Sequence, residues 1–157
     1  MALFSSTHIN KVDRKGRCSV PSAFRAILSA KEQQGFHAHP SFKHHAIDCL
    51  GADEVEALWK RINALDPYSD EREQLIWSTI SSGQDVQIDP DGRIVLSEAL
   101  RDYARIDGEV AFVGMGPSFQ IWNPTTFEET RQQAFANARN AAMALRGTAS
   151  TGGGSGT

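Results

Sequence analysis

The chain has 157 residues, 40% of them hydrophobic and 22% charged, which excludes a disordered or low-complexity polymer and allows one compact core or two small coupled ones. Cys18 and Cys49 are too few for a disulfide scaffold or a zinc knuckle, and no window approaches the ~20 apolar residues of a membrane span. A net charge of −3 argues mildly against a nucleic-acid partner, but residues 1–31 carry Lys11, Arg14, Lys15, Arg17, Arg25 and Lys31 against Asp13 alone. Over residues 85–109 the balance reverses, with seven acids against three arginines. A local positive field at one end can therefore act within a Debye length although the whole molecule is anionic.

The first eight residues have no basic stretch followed by an apolar run, so no secretory signal is expected and the cytoplasm is the default. Residues 10–25 read as a short alternating strand, an Asp13-x-x-Gly16 turn, a second strand holding Cys18, and a helix. Pro21 fits the opening helical position, with Phe24, Ile27 and Leu28 facing a core. Residues 35–50 are histidine-rich and His44-His45 break the strand alternation, but a topology similar to that of the strand pair in the second copy is expected. Residues 52–65 place Val55, Leu58, Trp59, Ile62 and Leu65 at helical spacing, and Asp66-Pro67 stops that helix. A further helix is expected over 72–82. Val86 and Ile88 then lead through an Asp89-x-x-Gly92 turn to a strand at Ile94. The next helix is capped by Ser97, with Glu98 in its first turn and Leu100, Tyr103 and Ala104 inward. Residues 110–116 and 118–122 suit two more strands, 127–145 an alanine-rich helix, and 148–157 a flexible Gly/Ser/Thr tail.

Residues 10–25 and 86–101 align at a constant offset of 76. Asp13/Asp89, Gly16/Gly92, Arg17/Arg93, Ala23/Ala99 and Arg25/Arg101 are identical, while Val12/Ile88, Val20/Leu96 and Phe24/Leu100 keep apolar character. Each half alone is small for a stable core, and two copies in one chain can complete each other. The implied organisation is a first half (1–52), a helical connector (53–82), a second half (83–124), a C-terminal helix (125–147) and the tail (148–157).

These segments resemble the MraZ family, whose subunits carry two SpoVT-AbrB-type halves, each with an Asp-x-x-x-Arg signature. The resemblance spans nearly the whole chain. It rests on residues 10–21, on Asp89-Pro-Asp-Gly-Arg-Ile-Val-Leu, on Leu100-Arg-Asp-Tyr-Ala, and on Val113-Gly-Met-Gly with Ile121-Trp122. It implies an α+β fold of tandem halves of swapped-hairpin, double-psi-like β-barrel type, with connecting and C-terminal helices, forming a ring. It further implies a bacterial transcriptional regulator of the division and cell-wall gene cluster, including its own promoter. Such a protein is cytoplasmic and nucleoid-associated, and binds double-stranded DNA at short repeated boxes. The histidine-rich stretch and the alanine-rich C-terminus depart from the family pattern.

Read from the residues, Arg14, Lys15 and Arg17 put long cations at a hairpin tip narrow enough for a major groove, and Lys11 adds a point charge suited to phosphate. The second copy has Pro90-Asp91 where the first has Arg14-Lys15, so DNA contact is assigned to the first copy. Asp13, Gly16, Asp89, Gly92 and Arg93 are expected to build the turns. Arg17 keeps two readings, DNA contact or an ion pair with Asp13 across the turn. For Arg25 and Arg101 a structural or subunit-interface pair is the expectation.

Rival chemistry is weak. His37, His39, His44 and His45 invite a metal-site reading, but a solvated strand or loop explains them without a matching carboxylate or cysteine set, and neither a metal nor a cofactor is expected. No Gly-x-Ser-x-Gly elbow is present, Cys18 sits in a strand, and Gly114-Met-Gly116 is a turn and no phosphate loop, so catalysis is not expected. The alternative in another class is an AbrB-type antitoxin-like module, although the tail lacks apolar anchors for docking a toxin. Trp59, Trp77 and Trp122 are expected in core or subunit packing.

Overall fold

The computed structural model describes residues 2–153. Two compact units are distinguished, Met1–Pro124 and Thr125–Thr157. The first is a mixed α+β unit whose elements follow the repeat. In the first half these are β1 (Thr7–Lys11), β2 (Arg17–Ser19), α1 (Ser22–Ala30), β3 (Gly35–Pro40) and β4 (Ile47–Leu50). The connector holds α2 (Ala52–Asn63), α3 (Asp70–Ile76) and a π-helical turn, Trp77–Ser81. The second half repeats the pattern as β5 (Gln84–Gln87), β6 (Arg93–Val95), α4 (Glu98–Tyr103), β7 (Glu109–Gly114) and β8 (Phe119–Trp122).

Pairing crosses between the halves. A six-stranded antiparallel sheet has the order β1-β7-β8-β4-β3-β5, and β2 pairs with β6 in a separate two-stranded ribbon. Exchanging each strand for its counterpart leaves that order unchanged, which places a pseudo-twofold axis between β4 and β8. The same axis passes the ribbon, where Cys18 faces Ile94. The outer edge of β7 is covered by β1 from the first half, and that of β3 by β5 from the second, so each half hides an edge that the other would leave unpaired. Among the described residues the ladder is open between β1 and β5.

Both halves fill one core. Val20, Phe24 and Leu28 meet Leu96, Leu100 and Ala104, their counterparts in the repeat, together with Phe36, Ile47, Phe112, Phe119 and Ile121. Phe24 is fully buried. Its ring centroid lies 5.3 Å from Phe4 and 5.1 Å from Phe119, close enough for the edge and tilted contacts that aromatic quadrupoles favour. At the start of α4 the Ser97 hydroxyl accepts from the Leu100 N–H at 3.3 Å. Pro21 stands one position before its expected place, as the N-cap of α1. Both helices end on a left-handed residue that is not glycine, Glu32 with φ 59° and Arg105 with φ 56°. Each is followed by a helix-closing bond, Gln33 N–H to Leu28 and Ile106 N–H to Arg101.

The connector is less enclosed than its helical spacing implies. Ile62 is buried and Val55 and Leu58 are half-buried, but Trp59 and Trp77 are exposed, whereas Trp122 is buried. The helix expected over 72–82 divides at Trp77, where side-chain hydroxyls bond to nearby carbonyls. Thr79 Oγ1 donates to Leu75 at 2.6 Å and Ser82 Oγ to Trp77 at 2.6 Å.

The second unit is the helix α5, Pro124–Gly153. Glu128 holds Arg131 through two bonds, at 2.8 and 2.7 Å, and the Arg131 guanidinium lies 4.6 Å from the Phe135 ring centroid. Its backbone runs past the boundary at 147 that composition implies; residues 154–157 of the expected tail lie outside the described residues.

Truncating the shared aromatic centre should be costly for both halves together: Phe24→Ala is expected to lower unfolding free energy by about 3–5 kcal/mol in a single denaturant transition. Burial raises the Cys18 thiol to about 12 and moves Cys49 well above its ordinary value. Raised values mean that thiolate is scarce at pH 8, so both cysteines should resist an alkylating reagent in the folded protein and react after denaturation; rapid labelling of the native protein would contradict this.

Candidate nucleic-acid interface

The two turns share one backbone design. In the first, the Asp13 carboxylate accepts the N–H groups of Lys15 and Arg17, both at 2.9 Å. In the second, Asp89 accepts those of Asp91 and Arg93, again both at 2.9 Å. Gly16 and Gly92 each donate to the aspartate carbonyl three residues back, at 3.0 and 2.9 Å, and take φ of 85° and 79°. Aspartate is favoured because one short carboxylate can hold two successive amides, and glycine because that φ is costly for other residues. The Arg17 backbone bond, followed by its side-chain bond, holds the Asp13 carboxyl below its ordinary range, so this clasp stays ionised at neutral pH.

Side chains separate the copies. Arg17 Nε donates to Asp13 Oδ2 at 2.7 Å, while the arginine side chain remains 53% exposed. The ion-pair reading of Arg17 is thus realised through Nε, and among the described residues its two Nη groups have no carboxylate partner. Arg93 makes no side-chain bond to Asp89; it meets the exposed Asp91 at 3.4 Å. Within the ribbon, Arg17 lies opposite Val95 and Ser19 opposite Arg93, with Cys18 and Ile94 buried behind them. Arg14 and Lys15 stand exposed at the tip. Lys11 is exposed at the end of β1, in register with Glu109. Lys31, counted in the basic N-terminal charge, is drawn away into a 2.9 Å pair with Asp53.

Arg25 and Arg101 form no ion pair among the described residues. Each lies against the glycine of the opposite half: a Cβ on Gly16 would be 2.8 Å from Arg101 Nε, and one on Gly92 would be 2.7 Å from Arg25 Cζ. Their Nε groups donate to backbone carbonyls, Arg25 to Val20 and Arg101 to Leu96, both at 3.1 Å. This cross-half packing has no signal in local spacing; the identity of the two arginines in the repeat is its only trace.

The histidines are only in part the solvated set expected from composition: His45 is exposed and His37 and His44 are half-buried. His39 is buried, and its Nδ1 is 2.9 Å from the Pro40 carbonyl. His37 is placed between Asp85, at 2.9 Å from Nδ1, and the Thr79 carbonyl, at 3.0 Å from Nε2. His44 packs on Trp122 with ring centroids 4.9 Å apart, and His45 Nδ1 lies 3.3 Å from the Tyr103 carbonyl. Packing and backbone contacts account for these rings; among the described residues no group of three or more His, Cys, Asp or Glu side chains has a metal-binding arrangement. No helix among them is long and apolar enough to cross a membrane.

Residues 80–147 match the family model MraZ, described as "MraZ protein, putative antitoxin-like". The chain is similar to the transcriptional regulator MraZ of Pelagibacter ubique, with 39% identity over 84% of this chain and 85% of the relative. The transcriptional regulator MraZ of Beijerinckia indica is 38% identical over 85% of this chain and 82% of the relative. That of Rickettsia bellii is 38% identical over 94% of this chain and 99% of the relative. Similarity of this depth across both repeated turns and the connector between them means that the chain belongs to the MraZ family, a family of transcriptional regulators and not of enzymes.

Proposed function

We propose that the protein regulates transcription by binding double-stranded DNA through its first turn, at short repeated boxes in the promoter of the division and cell-wall gene cluster that includes its own gene. The observation that carries this reading is the contrast between two turns of matching backbone. One presents Arg14, Lys15 and Arg17, and the other puts Pro90-Asp91 at the tip. The Asp-to-amide bonding of the backbone therefore does not distinguish them; the charge at the tip does. Arg17 suits a guanine edge because its planar fork can donate to O6 and N7 together, while Lys11 and Lys15 suit phosphate as compact charges. A two-stranded ribbon such as β2-β6 is of a width that major grooves admit.

The open sheet and ribbon fit tandem SpoVT-AbrB-type halves of the swapped-hairpin kind, which would assemble further as a ring. Few cations per subunit make single contacts weak, and a ring turns later contacts into intramolecular ones. The protein would then act at the nucleoid.

In a gel-shift titration with promoter duplex, Arg17→Ala and Arg14→Ala/Lys15→Ala should weaken binding while Asp91→Ala leaves it intact. With Arg14 and Lys15 each meeting one phosphate, the double variant should flatten the slope of log affinity against log salt by about 1.8; wild-type affinity and slope in both variants would sink the assignment. A monomeric variant should lose about 10²- to 10⁴-fold in affinity for DNA carrying repeated boxes, and full retention would remove the need for a ring.

A further inference from the structure

The two turns differ in a second respect, in how the peptide at the tip is held. In the first turn this is the peptide between Arg14 and Lys15. Its N–H is bound by the Asp13 carboxylate at 2.9 Å. Its carbonyl accepts Arg101 Nη1 at 3.3 Å, a bond from the other half of the molecule. The same arginine is itself anchored, Nε to the Leu96 carbonyl at 3.1 Å, and the Leu96 N–H donates to Gly16 at 2.8 Å. Both Arg101 and the Leu96 backbone can lie so close because position 16 has no side chain: a Cβ there would be 2.8 Å from Arg101 Nε and 2.3 Å from the Leu96 carbonyl oxygen.

In the second turn the corresponding peptide joins Pro90 to Asp91. Its N–H is again bound, by Asp89 at 2.9 Å. Arg25 occupies the place of Arg101, with Nε on the Val20 carbonyl at 3.1 Å, but among the described residues it makes no bond to the Pro90 carbonyl. The proline ring fixes φ of residue 90, which stiffens the chain leading into that peptide by covalent means. Arg14 has no such constraint on its φ and is exposed, so a change in the backbone dihedrals flanking the Arg14–Lys15 peptide would redirect both exposed cations.

We infer that Arg101 is a positioning residue for DNA recognition: from the half that lacks the basic tip, it fixes the peptide between Arg14 and Lys15 and so sets the direction of both side chains. The inference rests on the assignment of the first turn to DNA. It gives the second copy a task in recognition without a contact of its own. A guanidinium suits the task because its planar fork serves two carbonyls at once, and a lysine ammonium holds such a pair less well.

The experiment is a titration of the full-length protein with its own promoter duplex at several salt concentrations, comparing wild type, Arg101→Ala, Arg101→Lys, Arg25→Ala and Arg17→Ala. Arg101→Ala is expected to weaken binding about tenfold, the value of roughly one charge-assisted hydrogen bond, with an unchanged salt slope. Arg25→Ala, which removes an arginine packed in the same way over a glycine, should bind as wild type. If Arg101→Ala does not fold, Arg101→Lys carries the test, with an expected loss of about threefold at constant slope.

Three results would overturn the inference: wild-type affinity in the Arg101 variants, an equal loss in Arg25→Ala, or a slope reduced by about 0.9 in Arg101→Ala, the mark of a direct phosphate contact. Failure of the underlying assignment is separately visible, because Arg17→Ala would then bind as wild type.

Discussion

Everything in the first unit depends on backbone pairing across the pseudo-twofold axis. Val20 donates to the Gly92 carbonyl at 2.9 Å and Leu96 to the Gly16 carbonyl at 2.8 Å, so each turn is tied to the strand that follows the other. The pattern recurs further out, where Val12 donates to Gly108 and Ile88 to Gln34. A buried amide without a partner is unfavourable, and for these four amides the partner is in the other half. Neither half has a complete set of hydrogen bonds without the other.

Once that exchange exists, the two turns are free to diverge. The Asp carboxylate and Gly conformation are retained in both because the backbone needs them, while positions 15 and 91 enter the shared hydrogen-bond scheme only through their N–H groups, so the side chains at 14 and 15 and at 90 and 91 are not dictated by it. One tip became cationic and the other acidic and proline-stiffened. The same scaffold thus supports an asymmetric charge distribution on a symmetric frame, which is how a molecule of net charge −3 can present a local positive tip.

The repeat, the turns and the helix cap at Ser97 were legible in the sequence because each is a local signal: an identical residue at fixed offset, an Asp-x-x-Gly pair, a hydroxyl before a helix. What was hidden depends on distance in the chain. Arg101 reaches Arg14 across 87 residues, and nothing near position 101 announces it. The ends of α1 and α4 were blurred for another reason, since Glu32 and Arg105 take a left-handed conformation where glycine is the usual marker. His39 looked solvent-borne from composition, yet β3 lies between β4 and β5 and turns that ring inward. The division of the connector helix at Trp77 follows from hydroxyls at Ser78, Thr79 and Ser82 bonding to carbonyls, a competition that helical periodicity does not register.

The palindromic strand order also has a consequence during synthesis. By the time β4 has been made at Leu50, the strands that flank it and cover β3 in the finished sheet, β8 and β5, do not yet exist. β1 waits longer still, for β7. At ~5–20 residues per second the ribosome needs several seconds to deliver the missing strands, during which the first half exposes sheet edges that any similar chain could occupy. Closure of the sheet is therefore a late event, and until the second half arrives the first is protected only by what its own strands and helix can cover.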